Sequence, residues 1–218
     1  MAAKKPKLNT AVVIGGTGLI GSSLLSLIEA SVDYAHATSL VRQNIVTRGK
    51  IDTHCVDFSK PNSFAEYVHG DVLFSCMGTT KKRAGSIAAQ RVVDVEYQLE
   101  VAKIAAKNGV PHYCLVSSSG ADASSSNEYM KMKGELEDAV IALGFERVTI
   151  FQPSLLVGLR PEFRFGEVIG EPILSLLTKI PSLQIYRPIS GKQVAKKMLE
   201  TSLSKQTGLR VFKLDEIF

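Results

Sequence analysis

The chain has no tryptophan and only three cysteines, Cys55, Cys76 and Cys114. The number is odd and none of the three is in C-x-x-C spacing, which argues against a disulfide framework. Each falls in or at the end of an expected strand, so all three are expected to be reduced, buried thiols in a reducing compartment. No run reaches the roughly 18 apolar residues of a transmembrane helix. The opening MAAKKPKLNT is too short for an ordinary signal or transit peptide. Its Lys4, Lys5 and Lys7 leave peripheral contact with an anionic membrane surface open. A dense basic stripe is also missing. The net charge is +5, scattered apart from those lysines and Lys81-Lys82-Arg83. Without aromatics interleaved among the charges, nucleic-acid binding is not expected. Mild basicity suits an anionic small ligand instead. There is no internal repeat and no low-complexity tract.

What is present is ordinary globular composition, 45% apolar and 22% charged over 218 residues. That is long enough for one domain with its own core. Strand and helix patterns alternate. Strands are expected over 11–14, 37–41, 51–56, 72–76, 112–117, 147–151 and 209–214. Helices are expected over 19–30, 87–107, 128–143 and 190–203. A short helix is read over 62–68, from Ser63 and Glu66 in capping-box spacing, and Ser190 with Gln193 starts the last helix the same way. Gly109 and Gly144 follow helices, where a left-handed residue is favoured. This order predicts an α/β fold, a doubly wound (Rossmann) parallel sheet with helices on both faces. From 154 to 190 the texture breaks up around Pro161, Pro172, Pro181 and Pro188. This stretch is read as a small substrate-side lobe of the same domain, with Leu155, Leu156, Phe163 and Phe165 as candidate pocket residues.

The strand–helix junction VVIGGTGLIG carries the first functional signal. Gly15, Gly18 and Gly21 form G-x-x-G-x-x-G between the first strand and first helix. One glycine allows the tight turn, one allows a pyrophosphate to approach the backbone, and one allows helix and strand to pack closely. The helix N-terminus offers free N–H groups to phosphate. A further absence follows. The second strand ends in Ser39-Leu40-Val41-Arg42-Gln43, with no carboxylate to bind a ribose 2′-hydroxyl. Arg42 lies 21 positions after Gly21 and suits a 2′-phosphate. NADP(H) is therefore the expected cofactor, with NAD(H) second.

Tyr129 and Lys133 supply the second signal. They are four apart on an expected helix and share a face. An ammonium beside a phenol makes the tyrosine a usable proton donor or acceptor for a carbonyl/alcohol pair. Ser117 and Ser118 end the preceding strand, and either hydroxyl can hold a substrate oxygen.

These motifs resemble the short-chain dehydrogenase/reductase superfamily, in its atypical G-x-x-G-x-x-G branch, which includes fungal mitochondrial members. The resemblance rests on GGTGLIG (15–21), SLVRQ (39–43), SCMGTTKKRAGS (75–86), VSSSGADASSSNEYMKMKGELE (116–137) and FQPSLLVG (151–158). It implies that Thr17, Gly18, Leu19 and Ile20 lie in the phosphate turn and that Arg42 meets the 2′-phosphate. Asp57, Met77 and Gly78 join the cofactor contacts. Leu155 and Leu156 border the nicotinamide. Tyr129 and Lys133 match the catalytic pair. Asp94 stands where many members place an asparagine. Its carboxylate is expected either to hold the lysine or to be a helix surface charge.

Two functions compete at this stage. One is an NADPH-dependent oxidoreductase that passes hydride to a carbonyl, with Tyr129 as proton donor. The other is an NADPH-binding sensor or scaffold with little turnover. The expected partner is a small carbonyl or alcohol substrate. A homodimer through the helix 87–107 follows by analogy only. The expected location is the cytoplasm or the mitochondrial surface.

Overall fold

The computed structural model describes residues 8–43, 45, 49–157 and 187–218. In chain order the strands are β1 Asn9–Ile14, β2 Tyr34–Val41, β3 Ile51–Cys55, β4 Val72–Ser75, β5 His112–Val116, β6 Arg147–Gln152, β7 Leu156–Val157, β8 Ile189–Ser190 and β9 Gly208–Lys213. Seven of them form one sheet, ordered β3-β2-β1-β4-β5-β6-β9, with every pairing parallel. β7 and β8 pair separately. The sequence says why the centre is parallel. Ala11–Ile14, Val72–Ser75 and His112–Val116 are buried on both faces, as strands under helices on each side must be.

The helices are α1 Leu19–Ala30, α2 Lys81–Ala84, α3 Ile87–Arg91, α4 Tyr97–Lys107, α5 Glu128–Ile141 and α6 Gly191–Ser202. On one face α1 and α6 close over Val13, Phe74, Cys114 and Phe151. On the other, α4 and α5 close over Val12, Leu73, Tyr113 and Leu115. The expected doubly wound α/β fold is the one observed. Ser190 and Gln193 make the reciprocal cap that starts α6.

Four expectations need correction. The stretch 62–68 is two 3-10 turns, Pro61–Ser63 and Ala65–Tyr67, not a helix. Asn108 Nδ2 donates to the carbonyls of Ala65 and Val68 at 3.0 and 2.9 Å. Ser63 Oγ turns back to Lys60 O, away from any cap. The helix over 87–107 is interrupted by a π segment, Val92–Glu96, between α3 and α4. Cys55 is exposed at the end of edge strand β3, so only Cys76 and Cys114 are buried; all three thiols are free. The short helix α2 was not expected at all. Thr80 caps it, its Oγ1 accepting the Arg83 N–H, and Gly85 ends it in the left-handed region. Most of the lobe read over 154–190, with Phe163 and Phe165, lies outside the described residues.

Two packing features have measurable consequences. Gly21 faces the turn so closely that a Cβ there would overlap the Gly15 carbonyl oxygen. Alanine is favoured over glycine by about 1 kcal/mol inside a helix. Gly21→Ala is nevertheless expected to destabilise the chain by about 1–3 kcal/mol through overpacking, read from the urea midpoint. On the other side of the molecule His112 is buried, with Nε2 2.9 Å from Thr149 Oγ1 and 3.2 Å from Cys114 Sγ. Burial, helped by the Arg147 charge, pushes its imidazole down from 6.5 to about 3. The folded state therefore holds His112 neutral while the unfolded chain takes up a proton below its ordinary value. His112's contribution is full above 6.5 and declines as pH falls towards 3, by about 1.4 kcal/mol per unit. Urea midpoints across the upper part of that window should fall in the wild type and stay flatter in a folded His112→Gln variant.

Candidate active site

The strand order reverses between β1 and β4, whose neighbours β2 and β5 lead away in opposite directions. Ligand crevices of open α/β sheets form at such a switch point, beyond the carboxyl ends of the strands. A cavity of about 520 Å³ lies there, bounded by the ends of β1, β2, β4, β5 and β6.

Its floor is the glycine turn. Gly15 has φ +77, which only glycine adopts freely. A Cβ on it would lie 2.5 Å from the backbone of Cys76 and Met77, so the turn presses directly on the end of β4. A Cβ on Gly16 would lie equally close to Ser39 Oγ, which is buried and has no hydrogen-bond partner among the described residues. Thr17, Gly18, Leu19 and Ile20 line the cavity; Gly18 is the N-cap of α1 and makes no side-chain cap. The first N–H groups of α1 are thus presented to a ligand.

One wall is the segment after β4. Met77, Gly78, Thr80 and Arg83 face the cavity. A buried polar ladder holds this segment. The Thr79 N–H donates to Asp94 Oδ1 at 2.6 Å, and Gln90 Nε2 donates to Thr79 O at 3.2 Å and to Asp94 Oδ2 at 3.3 Å. Gln98 Nε2 donates to Asp94 O, and Ser75 Oγ donates to Gln98 Oε1. The ladder accounts for the π segment, because Asp94 and its neighbours are recruited by the loop. Asp94 is 1% exposed. It is neither a surface charge nor the holder of Lys133; it fastens the wall.

The opposite wall carries the expected Tyr129–Lys133 pair. Asn127 caps α5, its Oδ1 accepting the N–H groups of Tyr129 and Met130. The cap starts the helix so that Tyr129 and Lys133 both reach the cavity, with Ser117 and Ser118 beside them. Gly134 lets α5 approach the loop before it, since a Cβ there would overlap Asp122 and Ala123. Lys133 is 3% exposed and has no hydrogen-bond or ion-pair partner among the described residues. Ser117 Oγ is buried as well, beside the Glu137 carboxylate. Cys76 also borders the cavity, but burial pushes its thiol up to about 12, too high for a reactive thiolate at neutral pH.

The expected residues divide accordingly. Gly15, Thr17, Gly18, Leu19, Ile20, Arg42, Met77, Gly78, Ser117, Ser118, Tyr129, Lys133 and Leu156 converge on the cavity. Gly21 supports the turn from behind. Asp57 and Leu155 do not face the cavity. The Asp57 carboxylate accepts the Ser59 hydroxyl and N–H and pairs with Lys60. Those Ser59 bonds hold it below the usual carboxylate range. Phe58, one residue on, takes its place in the cavity with Leu40 and Val41. Leu155 is engaged through its carbonyl, which accepts the Ile189 N–H, and Leu156 faces inward instead. Sequence reasoning missed Phe58, Thr80, Arg83, Val93 and Ser154. The signal for Arg83 was present in Thr80-Lys81-Lys82-Arg83-Ala84-Gly85, a short capped helix that reads as a charge cluster. Among the described residues, three cations, Arg42, Arg83 and Lys133, line the cavity, and no carboxylate does. With the glycine floor and the serine hydroxyls, this donor set fits a polyanionic nucleotide such as a dinucleotide.

Comparison with known proteins agrees. The model of the NAD dependent epimerase/dehydratase family matches residues 11–138, more than half of the chain. The protein named FMP52, mitochondrial, of Coccidioides immitis is 36% identical over 172 residues, 72% of this chain and 70% of that protein. Protein HTATIP2 of Rattus norvegicus is 35% identical over 170 residues, 76% of this chain and 70% of that protein. Among solved structures, MoeE5 in complex with UDP-glucose and NAD superposes with a TM-score of 0.69 at 14% identity, covering 95% of this chain and 79% of MoeE5. The Bordetella bronchiseptica enzyme WbmH in complex with NAD+ gives 0.69 at 12% identity, covering 95% and 76%. The chain belongs to the NAD dependent epimerase/dehydratase family, among the atypical short-chain dehydrogenase/reductase relatives of HTATIP2 and FMP52.

Proposed function

We propose that the chain is an NADP(H)-dependent oxidoreductase that reduces a carbonyl group, with Tyr129 as the proton donor. The observation that carries this reading is the charge of the cavity: among the described residues, three cations and no carboxylate line it beside an intact Tyr129–Lys133 pair. A site for NAD would place an acid at the end of β2 to bind the ribose 2′-hydroxyl. Here Arg42 stands at that end, suited to a 2′-phosphate.

The cofactor supplies the hydride chemistry. The chain's own residues do the rest. The glycine turn and the N-terminus of α1 receive the pyrophosphate. Leu40, Val41 and Phe58 give an apolar bed for the base end, and Leu156 with Pro153 closes the reacting end. Ser117 or Ser118 donates a hydrogen bond that holds the carbonyl oxygen, and Tyr129 delivers the proton to that oxygen. Lys133 favours the tyrosinate that remains and is free to hold ribose hydroxyls. The substrate is a small carbonyl compound. The mitochondrial names of the fungal relatives support a mitochondrial location. Among the described residues no helix is long and apolar enough to cross a membrane.

A ligand that binds only the folded chain raises its melting temperature. NADPH should raise it well above NADH at equal concentration. Arg42→Ala should weaken NADPH about tenfold or more and leave NADH almost unchanged, since a charge-assisted bond is lost only with the phosphate. Equal losses for both would assign the 2′ end elsewhere. Tyr129→Phe should keep the NADPH shift and abolish NADPH oxidation across a panel of aldehydes and ketones. Surviving turnover would remove Tyr129 as the acid, and wild-type binding without any turnover would leave a sensor.

A further inference from the structure

One helical turn beyond Lys133 on α5 stands a second buried charge, Glu137, 9% exposed. Tyr129, Lys133 and Glu137 recur at intervals of four and share one face of the helix. Two strand ends converge on this carboxylate. Gln152, the last residue of β6, donates Nε2 to both of its oxygens at 3.0 Å each. Ser117, just past β5, stands beside it with its hydroxyl buried.

A charge taken out of water is costly unless it is compensated. Lys133 and Glu137 are opposite in sign, one turn apart and both shielded, so their attraction acts across a low dielectric. The other charges nearby are committed or face away. Asp94 of the π segment takes Thr79 and Gln90. Arg91 of α3 pairs with Glu135 at 2.5 Å. Asp138 is exposed, and the ends of β5 and β6 contribute the neutral Ser117 and Gln152. Glu137 is left as the carboxylate whose charge no cation takes up directly.

We propose that Glu137 is a positioning residue for the Tyr129–Lys133 pair: its carboxylate is the counter-charge that keeps the buried Lys133 ammonium protonated and directed at the cavity. The inference rests on the reading of Tyr129 and Lys133 as the acid–base pair. It also explains why a carboxylate is tolerated there. Burial raises the Glu137 carboxyl above its usual range, and Ser117, Gln152 and the Lys133 charge oppose that rise.

The sign of the effect is fixed. Removing a negative neighbour disfavours an ammonium, so Lys133 must lose its proton at lower pH without Glu137. Competitive acetylation of the chain with acetic anhydride at a series of pH values, followed by peptide mass spectrometry, gives the titration midpoint of each lysine. Exposed Lys131 on the same helix is the internal control. Glu137→Gln should lower the Lys133 midpoint below that of the wild type, leaving Lys131 unmoved, and Glu137→Asp should stay near the wild type. An unchanged Lys133 midpoint in folded Glu137→Gln overturns the proposal. So does a wild-type Lys133 midpoint well below that of Lys131, a result that needs no variant to fold. No cofactor or substrate enters the measurement, so its failure is separate from failure of the oxidoreductase reading, which the NADPH titration tests.

Discussion

The contact on which the molecule depends is the seating of the Gly15 turn against the end of β4. The turn can lie against the Cys76–Met77 backbone only because no Cβ intervenes and Gly15 takes a positive φ. That seating sets α1 over the sheet with its N-terminus at the point where strand order reverses. Gly21 then allows the first turn of α1 to rest on the Gly15 carbonyl. The anion site, the parallel pairing of β1 with β4, and the cavity above them follow from the same few ångströms.

The two walls are held by different means. The wall after β4 is short and irregular, and buried hydrogen bonds from Asp94, Gln90, Gln98 and Ser75 fix it. Such a ladder is costly if incomplete, and here each rung has a partner. The α5 wall is regular helix, capped by Asn127 and brought close by Gly134. It leaves Lys133 and Ser117 buried at the cavity, with Lys133 making no direct hydrogen bond or ion pair among the described residues. Stability is thus spent on one wall, and unsatisfied polarity is kept on the other, where chemistry is proposed.

Much of this was legible in the residues. Alternating strand and helix patterns identified the sheet, and helix α1 begins and ends where its pattern does. The glycine spacing, Arg42 and the Tyr129–Lys133 interval named most of the residues that converge on the cavity. The errors share a cause. The 62–68 segment looked helical because Ser63 and Glu66 suited a cap, but Asn108, forty residues away, claims its carbonyls. Asp94 read either as a hold on Lys133 or as a helix surface charge because its partner Thr79 lies in a loop, and loops carry no period. Asp57 gave way to Phe58 because a local turn with Ser59 captured the carboxylate.

The sequence by itself determined what local chemistry and periodicity can encode: the βα order, the glycine turn, the Ser190–Gln193 cap of α6, and a tyrosine and lysine on one helical face. Those depend on neighbours within a few residues, so the residues that make them are adjacent in the chain. The tertiary structure decided which side chains meet across distance. It put Arg83 on the cavity, bent the α3–α4 helix at Asp94 to fasten the loop, and brought Gln152 and Ser117 to Glu137 behind Lys133. Burial made those meetings consequential, because a polar group removed from water takes whatever partner the packing of distant segments supplies.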